Sequence, residues 1–538
     1  MLRRWAACLV VWRCSARFVG FPSTCAGGFP CGPGHETCGP PHAPASLIHL
    51  QDPTCDMNDP NAPFQDRNGV HHVFFQKRIC IANDGMGQGP VWGHAVSRDL
   101  AHWEFLPVAV WNGPDVNSAK AVFTGSATLA GDEGPVLMYA GRGVPNAFGV
   151  ATPANASDPL LRDWDKRDVD VVDGTDDDPS TAWRGPTGEW RTVAKGGNPK
   201  GAPGASIYAS DGPAFLSKWQ RLGSSNLPMG ECPSLFPNPG AGPGDPTHVH
   251  MYGNFNAYYH LGFWEDDPAS STGLVGRWNT TTGAPPVVCE RNNHADAVEC
   301  RRLDRGAGYY APKDYLTSDG RRVVWGWLKG AAHGALSLPR ELRYDRHLGV
   351  LTSTPVDELK ALRSATLASA PGKPVPLKLE WASGAAVEIL VRWGSPARRH
   401  NARHEGPRSD CESAGCAPSE LQEGASLTLS VGGVGDATVA CDAAGCATRI
   451  FGVSDRFDWR RDDDHLSLRV YVDPVAVETF AQGGRVASTS PRRGGSTLGL
   501  ALSATAKNAT FAKSAAASVR VFALDSIYAT PSEQGEGP

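Results

Sequence analysis

Short segments rich in β-branched and aromatic residues recur along this chain, and this pattern is what most restricts its fold. Examples are VHHVFFQ (70–76), AVFTGSATL (121–129), GPVLMYAG (134–141), THVHMYG (247–253) and RRVVWGWL (321–328). Such segments, bounded by Gly, Pro, Asn or Asp, are typical of β-strands. The 61 glycines and 43 prolines among the 538 residues suit many tight turns. The pattern predicts an all-β protein, built as a propeller or a sandwich.

A change of pattern near residue 370 indicates a second domain. The stretch PVDELKALRSA (355–365) is helix-like, and the Pro/Gly-containing stretch that follows indicates a linker over 367–376. Beyond it, strict alternation predicts a sandwich strand whose apolar residues share one face: Leu466, Leu468, Val470 and Val472. We therefore expect a first domain over 48–366, a β-sandwich over 377–530 and a disordered tail over 531–538.

The N-terminal segment combines arginines with a short apolar run. Two arginines precede the apolar stretch 5–12, and no acidic residue occurs before Glu36. The stretch is short for a membrane span. It fits a secretory signal, with an organellar transit peptide as the alternative. We expect a targeting peptide over 1–25, a leader rich in Cys, Gly and Pro over 26–47, and an extracellular or vacuolar destination.

Charge and composition narrow the class of partner. The net charge is -5 and the pI is about 6.3, whereas a nucleic-acid-binding protein would carry a basic face or stripe. We expect no nucleic-acid partner and no membrane span, and the sequence leaves the oligomeric state open. Three sequons are compatible with a secretory route and stand at Asn155, Asn279 and Asn508.

The chain has 14 cysteines, which is many for a cytosolic enzyme. Two Cys-x4-Cys units are the best disulfide candidates: Cys411 with Cys416, and Cys441 with Cys446. Each unit could close its own hairpin or pair with the other unit. A cluster in the leader has a spacing that matches no common zinc finger, so a metal is disfavoured there: Cys25, Cys31, His35 and Cys38.

Three acidic residues stand at the entries to predicted strands. Asp59 lies in NDPNAPF, Asp178 in DDDPSTAW and Glu231 in GECPSLF. Asn, Asp and Pro are ordinary turn formers, so each site has a purely structural alternative. The long separations along the chain place the three acids on different blades of a propeller. Because the inner strands of blades converge, the three carboxyls would meet at one centre.

These motifs resemble glycoside hydrolase family 32, the invertases and fructan hydrolases. The family's Asn-Asp-Pro-Asn, Arg-Asp-Pro and Glu-Cys-Pro motifs stand here as NDPN (58–61), DDP (177–179) and ECP (231–233). Further similar stretches follow in the family's order: WGHAVSRDLAHWEFLP (92–107), FTGSAT (123–128), SDPLLRDW (157–164), LDRGAGYYAPK (303–313), LPRELRYD (338–345) and VDPVAVETFAQGGR (472–485). The resemblance covers residues 48 to 530, and ordered co-occurrence is more specific than any single motif.

The resemblance implies a five-bladed β-propeller followed by a C-terminal β-sandwich, and retaining hydrolysis of terminal β-D-fructofuranosyl units of sucrose or fructans. Retaining hydrolysis needs one ionised carboxylate as nucleophile and one protonated carboxyl as acid. By motif position Asp59 is the nucleophile, Glu231 the acid/base, and Asp178 the transition-state stabiliser. The acid role implies a raised pKa for Glu231. No metal or organic cofactor is implied.

Further residues are implied to contact substrate by their positions in the motifs. These are Asn58, Gln76, Trp92, Phe123, Ser126, Asp177 and Asp304. For Trp92 and Phe123, a place in the propeller core is an equal alternative, because aromatic residues fill blades in any case. For Asp304 the alternative is a turn residue before Gly306. Asp473 and Glu478, in VDPVAVETF, are expected to be structural.

The sequence also departs from the family. The Arg that normally precedes the stabilising Asp is Asp177, and an added negative charge beside Asp178 could raise the pKa of that carboxyl unless Arg184 or another cation compensates. Gly230 stands where a Trp often precedes the acid/base, Ala307 replaces a common Lys, and the loop NDGMGQG (83–89) lacks an aromatic residue.

Two alternatives to a hydrolase therefore remain open. A fructosyltransferase would use the same three acids, with a sugar hydroxyl in place of water. A non-catalytic fructoside-binding protein of the same fold is suggested by Asp177 alone, because fold does not fix function. The sequence also leaves open the preference among sucrose, inulin and levan.

Overall fold

The computed structural model describes most of the chain, and every structural statement below concerns these residues. They are 46–78, 90–113, 117–118, 120–143, 145–172, 176–196, 204–266, 274–289, 300–384, 386–394, 424–442, 445–457, 463–492 and 497–528. Several predictions lie outside the described residues: the targeting peptide 1–25, all of the leader 26–47 except its last two residues, the loop 83–89, the pair Cys411 and Cys416, and the tail 531–538.

The first two blades of a propeller are separate four-stranded antiparallel sheets. The first has the order β1 (Asp56–Gln65), β2 (His71–Arg78), β3 (Pro90–Ser97), β4 (Glu104–Val110). The second has the order β5 (Ala121–Leu129), β6 (Pro135–Arg142), β7 (Ala147–Pro153), β8 (Trp164–Arg167), with a 3-10 helix at Gly131–Glu133. In both sheets each strand pairs with the next along the chain, as short turns require.

The third and fourth blades share a ten-stranded sheet because their outermost strands pair in parallel. After β9 (Val171–Val172), the third blade contains β10 (Trp183–Arg184), β11 (Trp190–Ala194), β12 (Ser206–Ser210) and β13 (Trp219–Ser225). The fourth contains β14 (Glu231–Pro237), β15 (His248–Asn254), β16 (Asn256–Asp266) and β17 (Leu274–Thr280). Strand β13 pairs with β17, while β9 and β18 (Arg301–Arg302) pair with β13 and β16.

The fifth blade completes the ring. It contains β19 (Tyr309–Leu316), β20 (Arg322–Leu328), β21 (Arg340–Asp345) and β22 (Val350–Pro355). Strand β19 packs beside β1 of the first blade and β14 of the fourth, and β1 also packs beside β5. The first strands of the blades therefore surround a common centre, and the predicted five-bladed β-propeller is confirmed.

Two six-stranded sheets form the C-terminal domain. Their orders are β23-β34-β25-β30-β31-β32 and β24-β33-β26-β27-β28-β29. The bounds are β23 (Arg363–Lys373), β24 (Leu377–Gly384), β25 (Val387–Gly394), β26 (Ala425–Val431), β27 (Gly435–Asp442), β28 (Gly445–Ile450), β29 (Val453–Phe457), β30 (His465–Val472), β31 (Ala476–Ala481), β32 (Val486–Pro491), β33 (Thr497–Ala506) and β34 (Ala516–Leu524), with helix α1 at Ala509–Ser514.

Alternating side chains of the two sheets fill the core between them. Leu466, Leu468, Val470 and Val472 of β30 are all buried, as their alternation predicts, and they belong to one apolar cluster with residues of β26 and β33. Tyr471, on the other face of β30, is also buried. Its hydroxyl lies 3.1 Å from Glu388 Oε1 in the neighbouring strand. The predicted β-sandwich is confirmed.

The boundary between the domains differs from the prediction. A 3-10 helix at Asp357–Leu362 replaces the helix-like segment, and β23 then occupies most of the predicted linker 367–376. Pro371 and Gly372 suggested a linker, but β23 is an edge strand that pairs only with β34, and its register shifts between Ala370 and Lys373. An edge strand tolerates proline because one side of it makes no ladder hydrogen bonds. The sandwich therefore begins at β23.

A buried ion network joins the propeller to the sandwich. The guanidinium of Arg340 donates to Glu478 Oε2 (2.6 and 2.9 Å) and to Asp304 Oδ2 (2.8 Å). His49 lies 3.1 Å from Glu478 and 3.5 Å from Asp473. Burial alone would lower the pKa of His49, but hydrogen bonds to Asp473 and Glu478 raise it to about 9. Asp473 and Glu478 thus have the structural position that was predicted.

Two disulfides occur in the described part of the chain. Cys441 and Cys446 are bonded across β27 and β28, which confirms that this unit closes its own hairpin. The bond between Cys289 and Cys300, in the segment that follows the fourth blade, was not predicted. Within the described residues no helix is long and apolar enough to cross a membrane.

Candidate active site

Asp59 lies on the innermost strand of the first blade, inside an interruption of the β1–β2 pairing between Met57 and Pro60. Its Oδ2 atom accepts hydrogen bonds from Thr124 Oγ1 (2.7 Å) and Gln76 Nε2 (3.2 Å). Burial raises the pKa of Asp59, the bond from Thr124 partly offsets this rise, and the charge of Glu231 adds to it. The carboxyl is therefore fixed in place beside a second acid.

Cys232 connects the three predicted acids. Its backbone N–H donates to Asp178 Oδ2 (2.9 Å), and its thiol donates to Asp59 Oδ2 (3.7 Å). Burial raises the pKa of the Cys232 thiol, so the sulfur keeps its proton. Because Glu231 is its chain neighbour, all three acids meet around one residue. Asp178 and Cys232 both have left-handed backbone conformations, with φ of 56° and 50°, which are uncommon for non-glycine residues.

Asp178 is the most deeply placed of the three acids, with 8% of the residue exposed. Burial, followed by the negative charge of Asp177, raises the pKa of its carboxyl to about 7. The charge of Lys313 opposes this rise. Lys313 itself is buried and donates to Ser126 Oγ (3.1 Å), so Ser126 lies beside the cation that acts on Asp178. Substrate contact by Ser126 stays a prediction.

Glu231 has an environment opposite to the one expected from the sequence. Tyr310 Oη donates to its Oε2 (2.6 Å) and Lys195 Nζ to its Oε1 (2.9 Å). Burial would raise the pKa of Glu231, but these two donors outweigh it and hold the pKa below its usual value. The expected raised pKa is therefore wrong for the free protein. The side chain is 46% exposed, so a ligand can reach it.

Asp177 is paired with a cation from the neighbouring blade. Arg142, the last residue of β6, forms a salt bridge with Asp177 Oδ1 through Nη2. Arg184, the candidate named from the sequence, points elsewhere: its Nη1 donates to the carbonyls of Gly188 and Pro213. The cation paired with Asp177 is therefore Arg142, although the charge of Asp177 still raises the pKa of Asp178.

The remaining predicted residues divide between the site and its surroundings. Gln76 contacts the Asp59 carboxylate directly. Phe123 is partly exposed and lies under the guanidinium of Arg142, 5.2 Å from it. Asn58 is buried, and its Oδ1 accepts a hydrogen bond from Arg78 Nε (3.2 Å). Asn58 is thus one step removed from the three acids.

Two predicted binding residues lie in the interior instead. Trp92 is 0% exposed in an apolar cluster, and its indole N–H donates to the carbonyl of Phe123 (3.0 Å), so it supports the site from behind. Asp304 is 1% exposed, and Arg340, Thr489 and the backbone of Gly306 occupy its oxygens. Direct substrate contact by Trp92 or Asp304 is therefore wrong. Trp92 instead lies in the propeller core, and Asp304 lies in a turn before Gly306, as the stated alternatives had it.

The glycine before Glu231 has a packing reason. A Cβ atom on Gly230 would lie 2.1 Å from the ring of Tyr252 and 2.7 Å from the carbonyl of Gly253. A tryptophan cannot occupy this position, because Tyr252 fills the space. Ala307, the other departure in the described residues, is exposed.

The contacts of several site residues were not predicted from the sequence. Thr124 and Tyr310 lie inside motifs quoted above, but the motifs do not reveal that these side chains contact Asp59 and Glu231. Lys195 is the next-to-last residue of the segment WRTVAKG (190–196), and Arg142 directly follows GPVLMYAG (134–141). Both cations come from strands without an acidic motif, and only the assembled blades bring them to the acids.

The assembled site can perform acid–base and nucleophilic chemistry. It contains one carboxyl fixed by three donors, a second carboxyl open to solvent, and a third held deep between blades. This arrangement suits displacement at a carbon atom with proton transfer to the departing oxygen.

Known proteins match the chain in sequence. Residues 49–355 match the family model for the glycosyl hydrolases family 32 N-terminal domain. A fructan 6-exohydrolase of Triticum aestivum is 31% identical over 330 residues, which are 55% of this chain and 54% of that protein. The chain thus spans about half the length of this relative. Beta-fructofuranosidase 1 of Zea mays is 30% identical over 537 residues, with 86% of this chain and 77% of that protein covered.

Solved structures match the fold. Fructan 1-exohydrolase IIa of Cichorium intybus superposes with a TM-score of 0.64 at 23% identity, over 89% of this chain and 97% of that one. A family 32 beta-fructofuranosidase of Bombyx mori superposes with a TM-score of 0.60 at 20% identity, over 90% of this chain and 95% of that one. With the family model covering more than half of the chain, the motifs and the fold agree on one assignment. The chain belongs to glycoside hydrolase family 32.

Proposed function

We propose that this protein is a retaining β-fructofuranosidase, which releases terminal β-D-fructofuranosyl units from sucrose or fructans through a covalent fructosyl-enzyme. The observation that carries the proposal is the convergence of Asp59, Asp178 and Glu231 around Cys232. A retaining glycosidase needs a nucleophile and an acid flanking one bond. The named relatives are fructan exohydrolases and beta-fructofuranosidases, which agrees with this substrate class.

The reaction has two steps. Asp59 attacks the anomeric carbon of the fructosyl unit while Glu231 gives its proton to the departing glycosidic oxygen, so one C–O bond forms as another breaks. Glu231, now ionised, then takes a proton from water, and the resulting hydroxide displaces Asp59 from the same carbon. Asp178 accepts hydrogen bonds from fructose hydroxyls that strengthen as the ring becomes oxocarbenium-like. These steps use only side chains, water and substrate, so the proposal includes no cofactor.

The donors on Glu231 give this acid a specific pH dependence. Glu231 must be protonated in the first step, but Tyr310 and Lys195 lower the pKa of its carboxyl. The proton is therefore lost as pH rises through a pKa that lies below the usual value, and the rate falls on the basic side. Asp59 has to be ionised to attack, and its raised pKa sets the acidic limb of the same profile.

Replacing Lys195 with methionine is expected to move the basic limb of the kcat/KM profile to higher pH. The variant loses one of the two hydrogen bonds and the nearest positive charge that favour ionised Glu231, while Tyr310 and the more distant Lys329 remain. The negative charge of Asp59 then acts with less opposition. The measurement is fructose release from sucrose across pH. Lys218→Met, which removes an exposed partner of Asp170, is the control and should leave the profile unchanged. An unshifted profile in Lys195→Met would contradict the pairing.

Product analysis tests the proposed function. Purified protein is incubated with sucrose, inulin and levan, and free fructose, glucose and oligosaccharides are quantified over time. Equal release of fructose and glucose from sucrose is the expected result. Excess glucose together with growing oligosaccharides would mean a fructosyltransferase. Binding of fructosides without any cleavage would mean a non-catalytic binding protein, and the proposal would fail.

We also propose passage through the secretory pathway. The disulfides Cys289–Cys300 and Cys441–Cys446 favour an oxidising compartment. Two sequon residues, Asn155 and Asn279, are exposed, as glycosylation requires. The side chain of the third, Asn508, caps helix α1 by accepting from the backbone N–H of Phe511 (2.9 Å). Mobility before and after enzymatic deglycosylation tests whether the secreted protein carries glycans.

A further inference from the structure

The salt bridge between Arg142 and Asp177 lies between two parts of the site. Asp177 is the chain neighbour of Asp178, and its backbone pairs with that of Lys195, whose side chain contacts Glu231. Arg142 comes from the second blade, and its guanidinium stands over the ring of Phe123, 5.2 Å away. Phe123 in turn precedes Thr124, which bonds Asp59. The guanidinium is therefore adjacent to residues that hold all three acids.

Arg142 has hydrogen-bonding capacity that the described residues do not use. Its guanidinium makes one hydrogen bond among them, from Nη2 to Asp177. The N–H groups on Nη1 and Nε have no acceptor within that part of the chain. The side chain of Arg142 is 26% exposed and that of Asp177 29%. A cation that is fixed on one side and open on the other is suited to a ligand with hydroxyl groups.

We propose that Arg142 is a substrate-binding residue, which donates hydrogen bonds to hydroxyls of the fructosyl unit, and that Asp177 is the residue that positions it. This inference rests on the proposed function and assigns a role to a residue that lies in none of the recognised motifs. The cation missing at position 177 is supplied from position 142 of the neighbouring blade.

The chemistry of the Arg142 and Asp177 side chains supports these two roles. Guanidinium is planar and presents donors in a fixed fork, so one edge can hold a carboxylate while the other faces a ligand. The ring of Phe123 adds a cation–π contact that restricts the guanidinium further. Asp177 alone would place a second negative charge beside Asp178, and its charge does raise the pKa of that carboxyl. Arg142 offsets this charge where the fructosyl unit has to bind.

Steady-state kinetics and ligand binding test the role of Arg142 together. Arg142→Ala is expected to raise KM and to lower kcat/KM for sucrose by about 10- to 100-fold, on the scale of one or two hydrogen bonds from a charged donor. The dissociation constant of free fructose, measured by calorimetry, should rise with it. Arg142→Lys keeps the charge and should recover part of both losses. Asp177→Asn frees the guanidinium and should fall between Arg142→Ala and the wild type.

Arg184→Ala is the matched control, because Arg184 lies on the ring of Trp190 (3.8 Å) and bonds carbonyls away from the acids. It should behave as the wild type. Wild-type activity in the same assay separates this test from that of the proposed function. If Arg142→Ala has the kinetics and the fructose affinity of the wild type, the inference is overturned. It is also overturned if a lower melting temperature accounts for the whole loss of activity in Arg142→Ala and the folded variant binds fructose with wild-type affinity.

Discussion

Replacing Asp59 with alanine is expected to lower kcat/KM for fructoside cleavage by on the order of 10⁴-fold or more, the scale on which removing a member of a covalent catalytic unit acts. Neither of the other two carboxyls that meet here can take its place, because Glu231 is engaged by Tyr310 and Lys195, and Asp178 is held by Cys232. Fructose release from sucrose by the two proteins at equal concentration measures the effect.

The matched control is Asp56→Ala on the same strand. Asp56 pairs with His333 at the surface (2.8 Å) and should be dispensable for catalysis. Azide separates a nucleophilic role from a structural one. In Asp59→Ala, azide can attack the anomeric carbon of an activated β-fructosyl substrate from the vacated side, which gives the α-fructosyl azide. A variant that is folded and inactive but yields no azide product would argue against Asp59 as the nucleophile.

Replacing Arg340 with methionine is expected to destabilise the protein by roughly 3–5 kcal/mol, because breaking a buried ion pair leaves charges without a partner. Arg340 and both of its carboxylate partners, Glu478 and Asp304, have fully buried side chains. His49 remains to neutralise Glu478, but nothing in the described chain replaces the bond to Asp304 Oδ2 other than the hydroxyl of Thr489. The melting temperature and the midpoint of urea unfolding measure the change.

Arg162→Met is the comparison for Arg340→Met. Arg162 pairs with Asp158 at 2.7 Å, but its side chain is 44% exposed, and exposed pairs contribute about 1 kcal/mol or less. Equal melting temperatures for both variants and the wild type would mean that the buried network does not hold the two domains together. Activity should follow folding in both variants, because neither arginine contacts the three acids.

The fold was predictable because its signals are local. In one strand after another, apolar and polar residues alternate or the residues are continuously apolar. This pattern is visible within a few neighbouring residues, as in β30 with Leu466 and Val470. The domain boundary was harder to predict from the sequence. Pro371 and Gly372 resemble a linker when read locally, and only pairing with the distant strand β34 makes them part of a sandwich edge.

The acidic residues of the site were predictable for the same reason, and the cations were not. Asp59, Asp178 and Glu231 each carry a short motif in their immediate sequence. Lys195 and Arg142 act through partners that lie 36 and 35 residues away along the chain. No local pattern distinguishes them from other basic residues at strand ends. Lys195 nevertheless matters, because together with Tyr310 it holds the pKa of Glu231 below its usual value, opposite to the expected direction.

Buried polar and aromatic residues account for the two incorrect binding assignments. Trp92 and Asp304 occupy motif positions, but motif membership does not tell whether a side chain faces a ligand or the interior. Trp92 is surrounded by apolar residues of the first two blades, and Asp304 faces Arg340 at the domain interface. In both cases the side chain's long-range partners decide its role.

The central claim is that Asp59 forms a covalent bond to the fructosyl unit and that its displacement restores the original configuration. The most direct measurement is the stereochemistry of transfer to methanol during sucrose cleavage, followed by NMR. Two successive inversions at the anomeric carbon predict methyl β-D-fructofuranoside as the transfer product. The α-anomer as the initial product would mean a single displacement and would contradict the account.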